Sequence, residues 1–415
     1  MSSAAASSPS ADEGGKPAGR RLGAKIAWAI AMTLALLVVV VVAVITLGTL
    51  VPGLGLLSNI GNLFAGTFSP HFAIVVLVVG ALGVLAWRVG LRRSGRIAAV
   101  LGGGTLIANV VIVSVLVGAI GANGGSVDLL KATFGLSSIA APAPDDVRVY
   151  DTIDAGEELT LDIFEPEGGS DEPTPAILYV HGGGWSQGSG TTTAADHRDV
   201  ADAGYTVVSV NYELSTPDNT TWDKAPAQVA CAAVWLADHA DELGVDLDRL
   251  AFWGDSAGGN LALNAAYSAA QGTAQSSCGG TVPVPTAVVV DYPAADMRGV
   301  AASGFNVEPL NSAKLAEQYI GGSAEEFPER YDAVTTSTYL SPQAPPTLII
   351  EPTRDTLVPT QTVLDFAEEA RAAGVDVQLA EIPLSWHIYT QIAHNSIADQ
   401  GHVTIGLNYL ADRWA

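Results

Sequence analysis

Two glycine-framed motifs contain residues that are suited to acyl-transfer chemistry. The stretch His181–Trp185 reads His-Gly-Gly-Gly-Trp, and Gly254–Gly258 reads Gly-Asp-Ser-Ala-Gly; Ser256 is the 75th residue after His181. The first motif offers successive backbone N–H groups that no side chain shields, and the second holds a serine between glycines. Together they predict a serine nucleophile beside backbone donors for a developing oxyanion, which is what cleavage of an ester requires.

Two serines fit the pattern Gly-x-Ser-x-Gly, and their surroundings separate them. Ser256 follows the apolar run Leu250–Trp253 and opens a small-residue helical pattern, Ala257–Ala266. This strand, turn and helix is the setting of a nucleophile elbow. Ser186 follows a glycine run and has no such helix after it. We therefore predict Ser256 as the nucleophile, and an ordinary tight turn is the competing interpretation.

Asp355 and His387 are the predicted acid and base of the same site. In serine hydrolases of this kind the chain order is serine, acid, histidine, and both residues follow predicted strands. Because the carboxyl ends of parallel strands meet at one edge of a sheet, both should lie near Ser256. The rival acids are Glu351, Asp332 and Asp296, and the rival bases are His394 and His402. We expect His181 to be a structural, hydrogen-bonding residue.

The elements that must position these residues follow an alternating pattern from Val147 onward. Val147–Thr152 and Leu159–Phe164 alternate like an antiparallel pair of strands. Further strands are predicted at Ala176–Val180, Tyr205–Val210, Leu250–Trp253, Ala287–Val290, Thr347–Ile350 and Val375–Ile382, and helices at Ala225–His239, Gly259–Ala270, Gln361–Ala373 and about Ala398–Trp414. The pattern predicts an α/β fold with a mostly parallel sheet and helices on both faces.

Three apolar runs precede this domain, at Ile26–Val51, Phe72–Trp87 and Ile97–Ile120. The first has 26 residues without charge, about 39 Å of helix, against a hydrocarbon core of about 30 Å. Its length favours a retained anchor over a cleaved signal peptide. Residues 52–71 contain Pro52 and several glycines and are expected to form a loop. We predict three transmembrane helices.

The distribution of basic residues predicts the orientation of these helices. One cluster precedes the first run, and a second separates the other two, whereas residues 52–71 contain no Lys or Arg. The clusters are Lys16, Arg20, Arg21 and Lys25, and Arg88, Arg92, Arg93 and Arg96. The positive-inside rule places both in the cytoplasm and everything after Gly121 outside the cell membrane. If the second run did not cross, the predicted side would change.

The predicted organisation therefore has four parts. Residues 1–25 form a disordered cytoplasmic tail, residues 26–121 the membrane domain and residues 122–145 a linker with one short helix around Leu129–Phe134. Residues 146–415 form the catalytic domain.

The net charge and the cysteine content argue against nucleic-acid binding and against a metal site built on cysteines. The net charge is −24, and residues 128–415 hold 41 acids against 11 bases, so a partner rich in phosphate, such as a nucleic acid, would be repelled. The two cysteines, Cys231 and Cys278, form no Cys-x-x-Cys motif and no metal-ligand spacing. They are either two unrelated buried thiols or a disulfide of an oxidising compartment.

As a set, these motifs resemble the hormone-sensitive-lipase-like and acetyl-esterase branch of the α/β-hydrolase superfamily, over about residues 147–414. The matching stretches are His181–Trp185, Gly254–Gly259, Val210–Leu214, the loop of Asp355 before Val358-Pro359, and the loop of His387. The resemblance implies an α/β-hydrolase fold, short or medium acyl groups, and oxyanion donors at Gly183, Gly184 and Ala257. Two departures leave the shape of the pocket open: Glu213 replaces the customary Arg, and Ser385–Ile388 replaces a His-Gly-Phe ending.

These observations predict a membrane-anchored serine carboxylesterase that works through an acyl-enzyme and needs no metal or organic cofactor. Residues Asp296–Leu340 are expected to cap the site. The substrate is expected to be a small-molecule or lipid ester, with envelope lipid or glycan esters suggested by the topology; no oligomeric state is predicted. The alternatives are an acyltransferase with the same triad, a peptidase and a catalytically silent, hydrolase-like scaffold.

Overall fold

Three long helices and one short helix precede the first strand of the protein. The computed structural model describes residues 18–153, 156–169 and 172–415. The helices are α1 (Ala18–Leu50), α2 (Leu56–Arg88), α3 (Arg92–Ala122) and α4 (Leu129–Phe134). By length and composition, α1 to α3 are each able to cross a membrane, and they are candidate membrane spans.

The stretch 52–71 is not the loop that its composition predicts. Helix α2 begins at Leu56 and continues through Pro70, so the connection from α1 is only a few residues long. Its glycines are points of close helix contact instead of breaks, since a Cβ on Gly61 would lie 2.3 Å from the backbone nitrogen of Thr49. Small residues of this kind let apolar helices approach closely, which is why the helix persists here.

The start of α1 also differs from the prediction. Residues 18–25 are helical, where the charged and small residues predict a disordered tail. Adding residues to an existing helix gains one backbone hydrogen bond per residue, so a long apolar helix extends beyond its apolar run. The rest of the predicted tail, residues 1–17, lies outside the described residues.

The remaining chain alternates strands with helices. The strands are β1 (Asp146–Thr152), β2 (Glu158–Phe164), β3 (Thr174–Val180), β4 (Thr206–Val210), β5 (Val245–Asp255), β6 (Ala287–Asp291), β7 (Asn306–Val307), β8 (Leu310–Asn311), β9 (Thr347–Pro352) and β10 (Val377–Ile382). The helices are α5 (Ala194–Asp202), α6 (Ala225–Asp238), α7 (Ala240–Leu243), α8 (Ser256–Gln271), α9 (Met297–Ala301), α10 (Ser312–Ile320), α11 (Pro328–Val334), α12 (Thr360–Ala372) and α13 (Ile397–Arg413), with a 3₁₀ turn at Thr336–Tyr339.

One sheet of eight strands organises this part, in the order β1-β2-β4-β3-β5-β6-β9-β10. Strand β2 runs antiparallel to β1 and β4, and the strands from β4 to β10 in this order are parallel to their neighbours. This confirms the predicted α/β-hydrolase fold. The carboxyl ends of β3, β5, β9 and β10 therefore open at one edge of the sheet, where the predicted site residues follow them.

Apolar side chains cover both faces of the sheet. Leu178 and Phe252 face a core shared with α6 and α8, whereas their neighbours Tyr179 and Trp253 face a second core, shared with α5 and α13. The alternation follows from the two-residue period of a strand. The second core also contains Ala65 of α2 and the α3 side chains Ile112, Leu116 and Ile120.

The chain divides into two compact units. One comprises the described residues up to Val44 together with Phe72–Ala108, and the other comprises Ile45–His71 and Asn109–Ala415. In the first unit, Val39, Val76 and Ala98 belong to a small buried cluster. The second unit contains the sheet and the ends of the three long helices that join its core.

The segment between α3 and β1 lies along α13. Backbone and side-chain hydrogen bonds join Ser126 to Thr404, Asp128 to Gln400 and the Gly124 carbonyl to Asn408, at 2.6–3.2 Å. The predicted short helix is present in this segment as α4. The connection from the long helices to the sheet is therefore fixed to the last helix of the chain.

Cys231 and Cys278, whose pairing the sequence left open, form a disulfide with a Cα–Cα distance of 5.5 Å. It joins α6 to the segment that follows α8. Cross-links of this kind persist in oxidising compartments.

Candidate active site

The structure brings Ser256, His387 and Asp355 together at the carboxyl edge of the sheet. Ser256 Oγ lies 2.8 Å from His387 Nε2, and His387 Nδ1 lies 2.5 Å from Asp355 Oδ2. The imidazole and the carboxylate are almost fully buried. This chain of hydrogen bonds is suited to taking a proton from the serine hydroxyl and stabilising the imidazolium that results.

Ser256 stands on a strained turn between β5 and α8. Its φ angle is +51°, a backbone conformation that residues other than glycine rarely adopt. A Cβ on Gly258 would lie 2.0 Å from the Val180 carbonyl oxygen, and one on Gly254 would lie 2.6 Å from the Gly258 oxygen. The two glycines are thus required by the close approach of β3 and by the turn itself, and the turn places Ser256 at the wall of the cavity described below.

The acid loop after β9 fixes the second oxygen of Asp355. Asp355 Oδ1 accepts hydrogen bonds from the backbone N–H groups of Leu357 (2.9 Å) and Val358 (3.1 Å). Both oxygens of the carboxylate therefore have hydrogen-bond partners, which hold it toward His387.

The rival acids and bases are placed elsewhere. Asp332 pairs with Arg298, and Asp296 caps helix α9. Glu351 is fully buried behind Asp355, and this burial, together with the Asp355 charge, raises the pKa of Glu351 well above its ordinary value. His394 and His402 lie in a different cluster with Asp399, Asp196 and Asp291.

The glycine loop after β3 lies beside the serine. Gly183 and Gly184 have φ angles of +116° and +58° and line the same cavity as Ser256. The N–H of Gly182 is already used, since it donates to Asp255 Oδ1 at 2.9 Å. Ala257 lies in the first turn of α8, where backbone N–H groups have no partner within the helix. The three residues predicted as oxyanion donors therefore border the cavity or the helix start beside Ser256.

Asp255 is a residue of this site that the sequence analysis did not single out. It is buried and accepts hydrogen bonds from Tyr179 Oη (2.8 Å), Gly182 N (2.9 Å) and Gln391 Nε2 (2.8 Å). Burial raises the pKa of Asp255 above its ordinary value, although these donors oppose the rise. Asp255 ties the elbow to the glycine loop. The sequence signal that could have indicated this role was a charged residue inside a motif of small residues.

His181 takes no part in the hydrogen-bonded chain of Ser256. Its ring stacks on Tyr212 at 4.4 Å, and its Nδ1 lies 2.6 Å from the Gly182 carbonyl oxygen. Burial lowers the pKa of His181 to about 4, so that its ring is neutral at pH 7. Tyr212 Oη donates to the His181 carbonyl, which fixes the start of the glycine loop.

A cavity of about 160 Å³ opens at Ser256. The predicted cap, Asp296–Leu340, contributes part of its wall, through Val300, Leu310, Ser312 and Leu315. The acid loop supplies Leu357 and Val358 to the same wall. The cavity is mostly apolar and smaller than the several hundred Å³ typical of pockets for drug-sized ligands.

The two departures from the family pattern have defined roles in the structure. Trp386 Nε1 donates to Thr356 Oγ1 at 2.9 Å, which joins the histidine loop to the acid loop. Glu213 pairs with Lys224 at 3.1 Å and also accepts from Asn219 and Gln228. Hydrogen bonds to these three side chains lower the pKa of Glu213 and outweigh its partial burial.

Arg354, the residue before Asp355, connects the acid loop to helix α1. Its Nη1 donates to the carbonyl oxygen of Thr49, in the last turn of α1, and lies 3.5 Å from Asn62 Oδ1 of α2. A guanidinium at the carboxyl end of a helix satisfies a carbonyl that has no partner within the helix. The acid loop thus rests on the ends of the two helices.

Replacing Arg354 with alanine is expected to lower kcat about tenfold with little change in KM. Without the guanidinium, the acid loop loses its support on α1, and shifts well under 1 Å in a catalytic group reduce the rate at this scale. Steady-state kinetics of the full-length variant in detergent measure this. Arg371→Ala is the matched control, because Arg371 also donates to a backbone carbonyl, that of Val377, outside the site. A kcat equal in both variants would contradict the role of Arg354.

Replacing Gly183 with alanine is expected to lower kcat by about 10²-fold or more. A Cβ there would lie 2.1 Å from the Gln187 carbonyl oxygen, and φ is +116°, so the loop must move and withdraw its N–H group. Loss of one oxyanion donor costs about 3–4 kcal/mol of transition-state stabilisation. Gly204→Ala controls for strain alone, since its φ is +100° and nothing lies within 4 Å. Equal kinetics in the two variants would argue against Gly183 as a donor.

Comparison with known proteins places this geometry in a family. A family model described as BD-FAE matches residues 161–369. Ethyl acetate hydrolase of Pseudomonas putida is 30% identical over 271 residues, which are 60% of this chain and 77% of that protein. The probable carboxylic ester hydrolase LipM of Mycobacterium tuberculosis is 27% identical over 231 residues, 54% of this chain and 52% of that protein.

Solved structures show the same fold. The apo form of Thermogutta terrifontis esterase 2 has a TM-score of 0.53 and 24% identity, covering 64% of this chain and 94% of that chain. Its complex with propionate has a TM-score of 0.53 and 23% identity, covering 66% and 95%.

Proposed function

Because this chain belongs to the BD-FAE family and has the α/β-hydrolase fold, we propose that it is a membrane-anchored esterase that uses Ser256, His387 and Asp355. Its class, a serine hydrolase of carboxylic esters, follows from its relatives. The observation that carries the proposed triad is the unbroken chain of hydrogen bonds from Ser256 Oγ through His387 to Asp355.

The proposed mechanism has two halves. His387 Nε2 takes the proton of Ser256 as Oγ attacks the ester carbonyl, and the oxyanion binds to the N–H groups of Gly183, Gly184 and Ala257. Asp355 stabilises the imidazolium, which then protonates the departing alcohol, leaving an acyl-enzyme. Water deprotonated by His387 attacks the acyl carbon, and collapse of the second tetrahedral intermediate returns the proton to Ser256.

The proposed substrates are esters of short to medium acyl chains. The cavity beside Ser256 has a volume of about 160 Å³, and Leu310 and Leu315 are among the residues that line it. An apolar wall favours an alkyl group, and the small volume limits its length. The name of the relative that hydrolyses ethyl acetate fits this size class.

We place the catalytic domain on the extracytoplasmic side of the cell membrane. Arg88, Arg92, Arg93 and Arg96 flank the short connection between α2 and α3, and the positive-inside rule assigns them to the cytoplasm. The other ends of α2 and α3 enter the core of the sheet, and the Cys231–Cys278 disulfide suits an oxidising compartment. This location makes lipid or glycan esters of the cell envelope the proposed natural substrates.

A fluorophosphonate probe that does not cross membranes tests the proposed nucleophile and the side of the membrane on which the catalytic domain lies. Applied to intact cells, it should label the wild-type protein and leave Ser256→Ala unlabelled. Labelling only after the cells are opened, with a domain protected from external protease, would contradict the extracytoplasmic location but leave the triad standing. Absence of labelling in opened cells as well would contradict the triad.

A series of p-nitrophenyl esters tests the acyl range and the reaction. Acetyl and butyryl esters should give a higher kcat/KM than the hexadecanoyl ester, and Leu315→Ala should shift this preference toward longer chains. Anilides should react far more slowly than esters. A faster reaction with anilides would indicate a peptidase, and acyl transfer to added alcohols in place of water would indicate an acyltransferase.

A further inference from the structure

A second group of titratable side chains lies buried between α5 and α13, apart from the Ser256 site. This acid–imidazole cluster consists of Asp196 from α5, Asp291 at the end of β6, His394 before α13, and Asp399 and His402 from α13. All except His394 are more than nine-tenths buried, and His394 has 14% of its side chain exposed. The reaction proposed above uses none of them.

Three members of the cluster place possible ligand atoms close to one another. One ligand atom from each of Asp196, His394 and Asp399 lies within 4.8 Å of the other two. Among the described residues, Asp196 Oδ1, Asp399 Oδ1 and His394 Nδ1 are buried without a hydrogen-bond partner. Asp196 Oδ2 also accepts no hydrogen bond, although His402 Nε2 lies 3.4 Å from it. Buried carboxylate oxygens are normally hydrogen-bonded or bound to a cation, so this arrangement calls for a positive occupant.

The spacing of these atoms differs from that of hydrogen-bonded pairs. His394 Nδ1 lies 3.4 Å from Asp399 Oδ2. A charge-assisted N–H···O bond would bring the two atoms to about 2.7–2.9 Å. Two ligands at about 2.0–2.1 Å from a tetrahedral Zn²⁺ ion lie about 3.4 Å apart. The observed distance is compatible with two ligands of one ion.

We propose that Asp196, His394 and Asp399 form a structural site for a divalent ion of the Zn²⁺ class. One imidazole with two carboxylates is a nitrogen and oxygen donor set that suits Zn²⁺, and a water molecule would complete four-fold coordination. The site would join α5, α13 and the loop that follows His387.

The surroundings of the three ligands support this assignment. Asp399 Oδ2 accepts the backbone N–H of Asn395 at 2.7 Å, which orients the carboxylate, as outer contacts do in metal sites. His402 lies between Asp196 and Asp291, at 3.4 and 3.5 Å.

A proton is the competing occupant. Burial and the nearby Asp399 charge raise the pKa of Asp196 well above its ordinary value, so a shared proton would also relieve the two carboxylates. The partial exposure of His394, and of Asp199 beside it, gives an ion a route from solvent. The experiment must therefore distinguish a bound metal ion from a bound proton.

The site would also hold the linker. His394 exchanges backbone hydrogen bonds with Ser137 in both directions, at 3.1 and 3.3 Å, and Asn395 Nδ2 donates to the Gly135 carbonyl. Fixing His394 by a metal ion therefore fixes the segment that connects the long helices to the sheet. The expected role is stability, because none of the three ligands touches Ser256 or His387.

Metal content and thermal unfolding of the full-length protein in detergent test the proposal. After treatment with EDTA and removal of the chelator, addition of ZnCl₂ should restore about one zinc per chain and raise the Tm by about 5 °C. Co²⁺ in place of Zn²⁺ should give the visible absorption of a tetrahedral cobalt site. Wild-type protein without bound metal, and with the same Tm in EDTA and ZnCl₂, would overturn the proposal in favour of a proton.

Variants of the proposed ligands, compared with a variant of a neighbouring carboxylate, test where the ion binds. Asp399→Asn and His394→Gln should each abolish the zinc-dependent Tm shift, whereas Asp199→Asn, a nearby exposed carboxylate outside the three ligands, should retain it. Fluorophosphonate labelling of Ser256 shows that each variant is folded. Stoichiometric zinc in the Asp399→Asn/His394→Gln double variant would place the ion elsewhere and contradict the assignment. Neither outcome depends on esterase turnover.

Discussion

Replacing Ser256 with alanine is expected to lower kcat for ester hydrolysis about 10⁶-fold, to the level that the oxyanion donors and substrate binding alone sustain. In the proposed mechanism the Ser256 hydroxyl forms the acyl-enzyme, and alanine has no group that could replace it. Because the serine is buried on a fixed turn and alanine is smaller, the fold should persist and KM should change little. Steady-state kinetics measure kcat and KM, and fluorophosphonate labelling shows whether the variant still has a reactive nucleophile.

Ser186→Ala is the control for this experiment. Ser186 fits the same Gly-x-Ser-x-Gly pattern, but the structure places it in the glycine loop, and His387 lies against Ser256. Its replacement should leave kcat within about twofold of wild type, since the expected cost of a surface substitution without a specific role is small. Loss of activity in the Ser186 variant with retention in the Ser256 variant would reverse the assignment.

Replacing Asp355 with asparagine is expected to lower kcat about 10⁴-fold. The amide keeps the size of the side chain and one acceptor oxygen for Leu357 and Val358. It removes the charge that stabilises the imidazolium and allows an N–H group to face His387 Nδ1, which favours the wrong tautomer. Substrate binding does not involve this carboxylate, so the effect should fall on kcat and not on KM.

Asp332→Asn gives the comparison for the acid. Asp332 was a rival candidate in the sequence, yet its side chain is 66% exposed and pairs with Arg298. An exposed ion pair contributes about 0–1 kcal/mol, so this variant should be close to wild type in both rate and stability. A large loss in the Asp332 variant, or a small one in the Asp355 variant, would show that the acid had been misassigned.

The order of elements could be predicted because strands and helices leave different periods in the sequence. Strand β3 and helix α8 both have runs of small and apolar residues with clear ends, and their positions agree with the pattern to within a few residues. The stretch 52–71 was misjudged for the opposite reason. Gly61 and Pro70 are unfavourable for an isolated helix, and only contact with a neighbouring helix shows that they are tolerated.

The candidate site could be predicted where its residues follow strand ends, because strand order then dictates proximity. Asp255 escaped notice because its role depends on three donors from β3, the glycine loop and the histidine loop, which are distant in the chain. The acid–imidazole cluster escaped for the same reason, since Asp196 lies far in sequence from His394 and Asp399. No spacing of residues along the chain indicates such a cluster, because its members are remote in sequence.

The amino-acid sequence was enough to predict the α/β class, the lengths of the three apolar runs and the candidates Ser256, His387 and Asp355. These features follow from local patterns, namely the period of apolar residues, structural propensity and short motifs. Only the folded structure shows that Arg354 contacts α1, that Cys231 meets Cys278 and that Asp255 holds the glycine loop. These are contacts between segments that are remote in the chain. They are fixed by packing in the folded protein and do not depend on the residues adjacent in sequence.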